Sequence, residues 1–127
     1  MSSLTIRRRV QWMDTDAAGI WHHSVAIRWA EEAEAELHRE LGIIDETFGA
    51  TPRVRTEFDF NDSLRFDDEA DITLTVADMG DTSVTYDIEV AIDSKTVVRG
   101  RIITVLIDRD SGKSRSWPDH LRVALSG

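Results

Sequence analysis

Leu4, Ile6 and Val10 alternate with polar residues, imperfectly because Arg8 falls on the same side, and this pattern predicts a first strand over residues 4–13. The pattern then changes period. Ala26, Ala30, Ala33, Leu37 and Leu41 recur at spacings of three or four, which predicts a helix over residues 24–41 with one buried face. Ser24 is a candidate N-cap and Gly42 a candidate C′ stop. Glu31, Glu34 and Glu40 fall on the outward side of the same count. The small residues on the inner face suit a helix lying close against a sheet.

Beyond Pro52 the alternation returns. Val54, Thr56, Phe58 and Phe60 form one set, Ile72, Leu74 and Val76 the next, then Val84, Tyr86, Ile88, Val90 and Ile92. Met79-Gly80-Asp81 and Asp93-Ser94-Lys95 read as hairpin turns between neighbours. Val97 to Ile107 is apolar on both faces, as a strand covered on both sides would be. Asp110-Ser111-Gly112 ends it, and Trp117-Pro118 begins a short tail. The order of strand, long helix and about four strands predicts an α+β fold with one antiparallel sheet, in a single domain over residues 1–127.

Composition narrows the chemistry. With 127 residues and 41% apolar content the chain can build a real core. It has no cysteine, which excludes disulfides, thiolate nucleophiles and cysteine metal sites and fits a cytoplasmic setting. Arg7 to Arg9 are followed by no apolar run, so no signal peptide is expected, and no window is long and apolar enough to span a membrane. A net charge of -9 argues against a nucleic-acid binder. It leaves room for a small anion at Arg7 to Arg9, at Arg53 with Arg55, or at Arg99 with Arg101.

Candidate chemistry gathers between Asp14 and His23. Two carboxylates, Gly19, Trp21, His22 and His23 stand immediately before the helix. Asp14 suits a turn-forming role. Asp16, beside Ala17, Ala18 and Gly19, has little competing polar bulk and could act as a general base on water or as a nucleophile toward an acyl carbon. Uncommitted N–H groups at the helix start could receive a developing oxyanion. A metal is not expected: adjacent histidines tend to point apart, and no HxxxH or HExxH spacing is present. Nucleophile-elbow, GxGxxG and GxxxxGK[ST] patterns are also missing.

The run Gln11-Trp12-Met13-Asp14-Thr15-Asp16-Ala17-Ala18-Gly19-Ile20-Trp21-His22-His23 resembles the signature of hotdog-fold acyl-CoA thioesterases of the 4-hydroxybenzoyl-CoA thioesterase type. Ile27-Arg28-Trp29-Ala30-Glu31, running on to Glu40-Leu41-Gly42, is similar to that family's central helix. Ser83 after the turn at Gly80, Gly100 in the long strand and Trp117-Pro118 extend the likeness over nearly the whole chain.

The resemblance implies a curled antiparallel β-sheet wrapped around one long central helix, the hotdog fold. It implies hydrolysis of an acyl-CoA or related thioester, with Asp16 as the essential carboxylate, the His23 backbone N–H polarising the carbonyl and Gly19 shaping the turn. It also implies a homo-oligomer, dimer or tetramer, with the thioester between subunits. Coenzyme A would enter as part of the substrate and no further cofactor is expected. Arg99 and Arg101 are candidate phosphate contacts, chosen by charge and location. The chain departs from many relatives at His22, Val25, Ala26 and Asp67-Asp68, which bears on the acyl group more than on the reaction. Two other readings stand beside hydrolysis: an acyl-carrier dehydratase or hydratase, and an acyl-binding domain without turnover.

Overall fold

The computed structural model describes residues Met1–Gly127. Five strands, β1 (Ser3–Arg9), β2 (Arg53–Phe60), β3 (Glu69–Met79), β4 (Ser83–Ile92) and β5 (Lys95–Val105), form one sheet in the order β1-β3-β4-β5-β2. Every neighbouring pair is antiparallel. The β3–β4 and β4–β5 connections are the two hairpins that the turn residues predict. At the second, Asp93 and Ser94 both take positive φ, the geometry a tight two-residue hairpin requires.

Helix α1 (Ser24–Glu40) lies against β1 and β3 on one face of this sheet. Val25, Ala26, Trp29, Ala30, Ala33 and Leu37 form its buried row. At 1.5 Å per residue, its 17 residues span about 25 Å. Gly42 closes the helix at φ +73°. The alanines bring the helix backbone close to the sheet, where Ile72, Leu74, Val84, Tyr86 and Ile102 complete the core.

The expected shape needs correction. The sheet is not curled around a single long central helix: it is open, with β1 and β2 as separate edges. The helical part is divided among α1, the one-turn α2 (Ile44–Thr47) and a C-terminal α3 (Asp119–Ser126). The reason lies in the burial of each piece. β2 is exposed almost throughout, and although its Arg53 reaches α1 the strand does not wrap over that helix. Leu121 and Leu125 of α3, four residues apart, enter the common core, and the Leu125 carbonyl accepts the Ser2 N–H. Where Trp117-Pro118 reads as the start of a short tail, this eight-residue helix forms, with only one i, i+4 apolar pair to mark it.

Three smaller differences follow the same logic. The first strand ends at Arg9, and a 3₁₀ turn at Trp12–Asp14 takes over. The stretch Val97 to Ile107 is covered on one face only, because Arg99 and Arg101 point away from α1 into solvent. Glu34, expected outside, is buried and ion-paired with Arg53 of β2. Beside it lies a second buried polar group. The Thr47 hydroxyl donates to the Ile43 carbonyl, so it accepts from His38 Nδ1–H at 2.6 Å. This leaves His38 Nε2 to accept the Tyr86 hydroxyl at 2.7 Å. The chain of bonds ties α1, α2 and β4 together with His38 neutral.

Candidate active site

The turn before α1 is built by its own carboxylates. Asp14 is buried; one oxygen accepts the Gln11 N–H at 2.8 Å and the other accepts Arg28 at 2.7 Å. Both oxygens are occupied by holding the turn to the helix. Asp16 is exposed instead. Its Oδ1 accepts the Ala18 N–H at 2.8 Å, and the Asp16 N–H donates to the Ile20 carbonyl. The chain reverses at Gly19 with φ +79°, a conformation that residues with a Cβ seldom adopt. Trp21 then returns to the core, its N–H bonded to the Leu64 carbonyl and its ring against Trp29 at 5.4 Å.

The head of α1 differs from the expected cap. His23, not Ser24, is the N-cap residue, and no side chain caps it directly. The Ser24 N–H donates to His22 Nδ1 at 3.2 Å, and the Ser24 hydroxyl lies 2.7 Å from the same nitrogen. The adjacent histidines do not point apart: their rings stack with centroids 4.2 Å apart. The His23 N–H donates to no acceptor in the chain. It stands at the positive end of the helix dipole.

Asp16 and His23 open on one cavity of about 240 Å³, shared with Ile20, Trp21, Phe60, Asp62 and Ser63. Phe60 forms its aromatic wall, edge-on to Trp21 at 6.5 Å and to His23 at 6.4 Å. Gly19 shapes the turn without lining the cavity. Arg99 and Arg101 lie elsewhere. They line a larger concavity of about 410 Å³ on the sheet face turned away from α1, where Glu89 and Asp87 hold them at 3.3 and 3.2 Å.

Phe60, Asp62 and Ser63 were not singled out by sequence. Phe60 reads there as one strand residue among several. Lys95 Nζ bonds Asp62 at 2.6 Å and, with the Ser63 N–H, holds this carboxyl below its usual pKa. No three His, Asp or Glu side chains gather as a metal-binding group. No helix is long and apolar enough to cross a membrane.

A helix laid on one face of a five-stranded antiparallel sheet is an architecture shared with solved thioesterases. The chain belongs to the thioesterase-like superfamily, whose family model matches residues 10–125, and it is a thioesterase-type enzyme. What the structure corrects is the shape of the sheet and helices, not this relatedness. A 1,4-dihydroxy-2-naphthoyl-CoA hydrolase from Synechococcus is 25% identical over 126 residues, covering 91% of this chain and 85% of that protein. A putative esterase from Aquifex aeolicus is 56% identical over 36 residues, only 28% of either chain. The solved structure of a gentisyl-coenzyme A thioesterase superposes with a TM-score of 0.86 at 25% identity, covering 96% of this chain and 99% of that one.

Proposed function

We propose that the protein hydrolyses an acyl-CoA thioester to the free acid and thiol, in the manner of the 4-hydroxybenzoyl-CoA thioesterase type. The observation that carries this reading is the meeting of Asp16 and the head of α1 at one aromatic-walled cavity. In the base route Asp16 takes a proton from water as the oxygen attacks the thioester carbon. The carbonyl oxygen gains charge and is held by the His23 N–H; collapse then expels the thiolate, which recovers a proton. In the nucleophile route the Asp16 carboxylate attacks first, expels the thiolate and forms a mixed anhydride that water cleaves. Label found in Asp16 after single-turnover hydrolysis in heavy-oxygen water identifies the anhydride route with water attacking the Asp16 carbon, because the base route never exchanges a carboxylate oxygen.

An aryl acyl group fits the walls formed by Trp21 and Phe60, and the named activities of the Synechococcus hydrolase and the gentisyl-coenzyme A thioesterase agree with it. The cavity of one chain is small for such a group joined to pantetheine, since ligand sites commonly run to about 300–1,000 Å³. The exposed edge strand β2 ends at Phe60, so a second copy pairing there would enlarge the cavity. A cytoplasmic homodimer or tetramer is the assembly we propose. Light scattering that returned the 14.4 kDa monomer at micromolar concentration would oppose it.

The test of function is thiol release from a panel of benzoyl, dihydroxynaphthoyl, gentisyl and medium-chain CoA esters. Release that is fastest with the aryl esters is expected. A dehydratase would release no thiol from any of them, and neither would a binding domain.

A further inference from the structure

An acidic protein that takes a polyanionic substrate needs cations where that substrate enters. Most basic side chains here are already committed. Arg7, Arg8, Arg9, Arg28, Arg39, Arg53, Arg55, Arg99 and Arg101 each face a carboxylate, and Arg109 and Arg122 hold backbone carbonyls. Arg65, Lys113 and Arg115 carry no side-chain bond of their own. Lys113 and Arg115 follow the end of β5 remote from the cavity, whereas Arg65 adjoins it. The backbone of Arg65 bridges that of Ile20, and Ile20 and Ser63 both line the wall.

Lys95 comes to the same rim from the β4–β5 hairpin, reaching Asp62 at 2.6 Å. Asp62 is thus a carboxylate in the cavity wall with one cation bonded to it and the guanidinium of Arg65 near enough to favour its charge. Lys95, through its bond to Asp62, and Arg65, through its backbone link to Ile20, thus stand beside a cavity whose two acidic residues, Asp16 and Asp62, would otherwise repel phosphate.

We propose that Arg65 and Lys95 form an anion-binding rim for the Asp16 cavity, taking the phosphate groups of a coenzyme A thioester in place of the Asp62 carboxylate. The proposal rests on the thioesterase reading of that cavity but concerns a different part of the ligand. It moves the phosphate contacts from the Arg99 and Arg101 face to the side on which Asp16 opens. A phosphate displaces Asp62 from Lys95 readily because the ion pair is exposed and weakly held. Arg65, with no hydrogen-bonded or ion-paired partner, gives up only its weak attraction to Asp62.

The experiment is calorimetric titration of the full chain with coenzyme A, pantetheine and inorganic phosphate, on wild type, Arg65→Gln, Lys95→Gln and Asp62→Asn. Circular dichroism checks folding. Loss of either cation should weaken coenzyme A binding roughly 5- to 20-fold, the range expected for one charge-assisted contact. Asp62→Asn should tighten it about 3-fold by removing the competing carboxylate, which a merely structural role for Asp62 would not do. Pantetheine binding should be the same in all four proteins, and the coenzyme A differences should shrink at high salt.

Equal coenzyme A affinity in wild type and both cation variants overturns the proposal. So does absence of coenzyme A binding in wild type, or phosphate binding as tightly as coenzyme A. The hydrolytic reading fails separately. Thiol release from acyl-pantetheine and acyl-CoA with unchanged kcat/KM in the variants would sustain hydrolysis and remove the rim. Coenzyme A binding with the expected pattern but no thiol release would sustain the rim and remove hydrolysis.

Discussion

Substitution of Glu34 by Gln should change the pH dependence of stability more than stability itself. Glu34 is buried on α1, and burial raises its pKa from 4.5 to about 7, against the pull of Arg53 and with some help from Glu31. Desolvation wins because Arg53 is itself partly solvated and shares its charge with Glu31 at 3.8 Å. Between pH 4.5 and 7 the folded protein therefore holds a proton that the unfolded chain has lost. Stability from this group is full below pH 4.5 and falls as pH rises through 7. At about 1.4 kcal/mol per pH unit, the window is worth roughly 3 kcal/mol.

His38 works in the opposite sense. Burial lowers its pKa from 6.5 to about 4, so its contribution is full above pH 6.5 and lost as pH falls toward 4. In the wild type the two groups oppose each other between pH 4.5 and 6.5. Glu34→Gln keeps size and removes one of them. The stability of the variant minus that of wild type should rise by about 3 kcal/mol between pH 4.5 and 7.5. Urea unfolding followed by tryptophan fluorescence at four pH values measures this difference, and the titration of exposed carboxylates cancels from it. A difference constant within about 0.5 kcal/mol would mean that Glu34 stays ionised against Arg53, refuting the reasoning.

Asp16→Asn keeps the acceptor for the Ala18 N–H, so circular dichroism should be unchanged while thiol release falls roughly 10²–10⁴-fold; a folded variant with more than half of wild-type activity contradicts the assignment. Gly19→Ala meets no atom within 4 Å, so its cost is conformational, about 1–2 kcal/mol by urea unfolding, with Gly19→Asn costing less; equal stability of all three would oppose a strained turn. Gly100→Ala places a methyl group against the Phe58 ring and the Glu57 carbonyl and should cost about 1–3 kcal/mol. Phe58→Leu in the same chain should recover part of that loss, and strict additivity in the double-mutant cycle would exclude the clash.

The parts of the fold legible in sequence are those with a sustained period. Seventeen residues of helical spacing located α1, and Gly42 located its end, because a single buried face imposes both. The hairpin strands were equally readable, since every second side chain enters one core. The period tells which residues share a face but not what covers that face. For this reason Val97 to Ile107 read as covered on both sides although Arg99 and Arg101 meet water. The same limit hid Glu34, whose place in the helix pattern is outward and whose partner Arg53 is nineteen residues away. It also concealed that β2 leaves its edge open and that the sheet therefore does not close around α1.

The candidate site divides along a similar line. Asp16, Gly19 and His23 are close in the chain, so local turn chemistry and a family resemblance sufficed to group them. The opposite wall comes from Phe60, Asp62 and Ser63, some forty residues away, and it is brought there by two backbone links, Trp21 to Leu64 and Ile20 to Arg65. No periodicity encodes those links. Charge counting alone favoured Arg99 and Arg101, which stand close together in sequence, yet each spends its charge on a carboxylate across the strand. Arg65 bonds no carboxylate, and only the folded chain distinguishes a cation already paired from one without a bonded partner beside the cavity. A charge useful for binding a substrate is one the fold has left uncompensated near the reacting group, and that condition is three-dimensional.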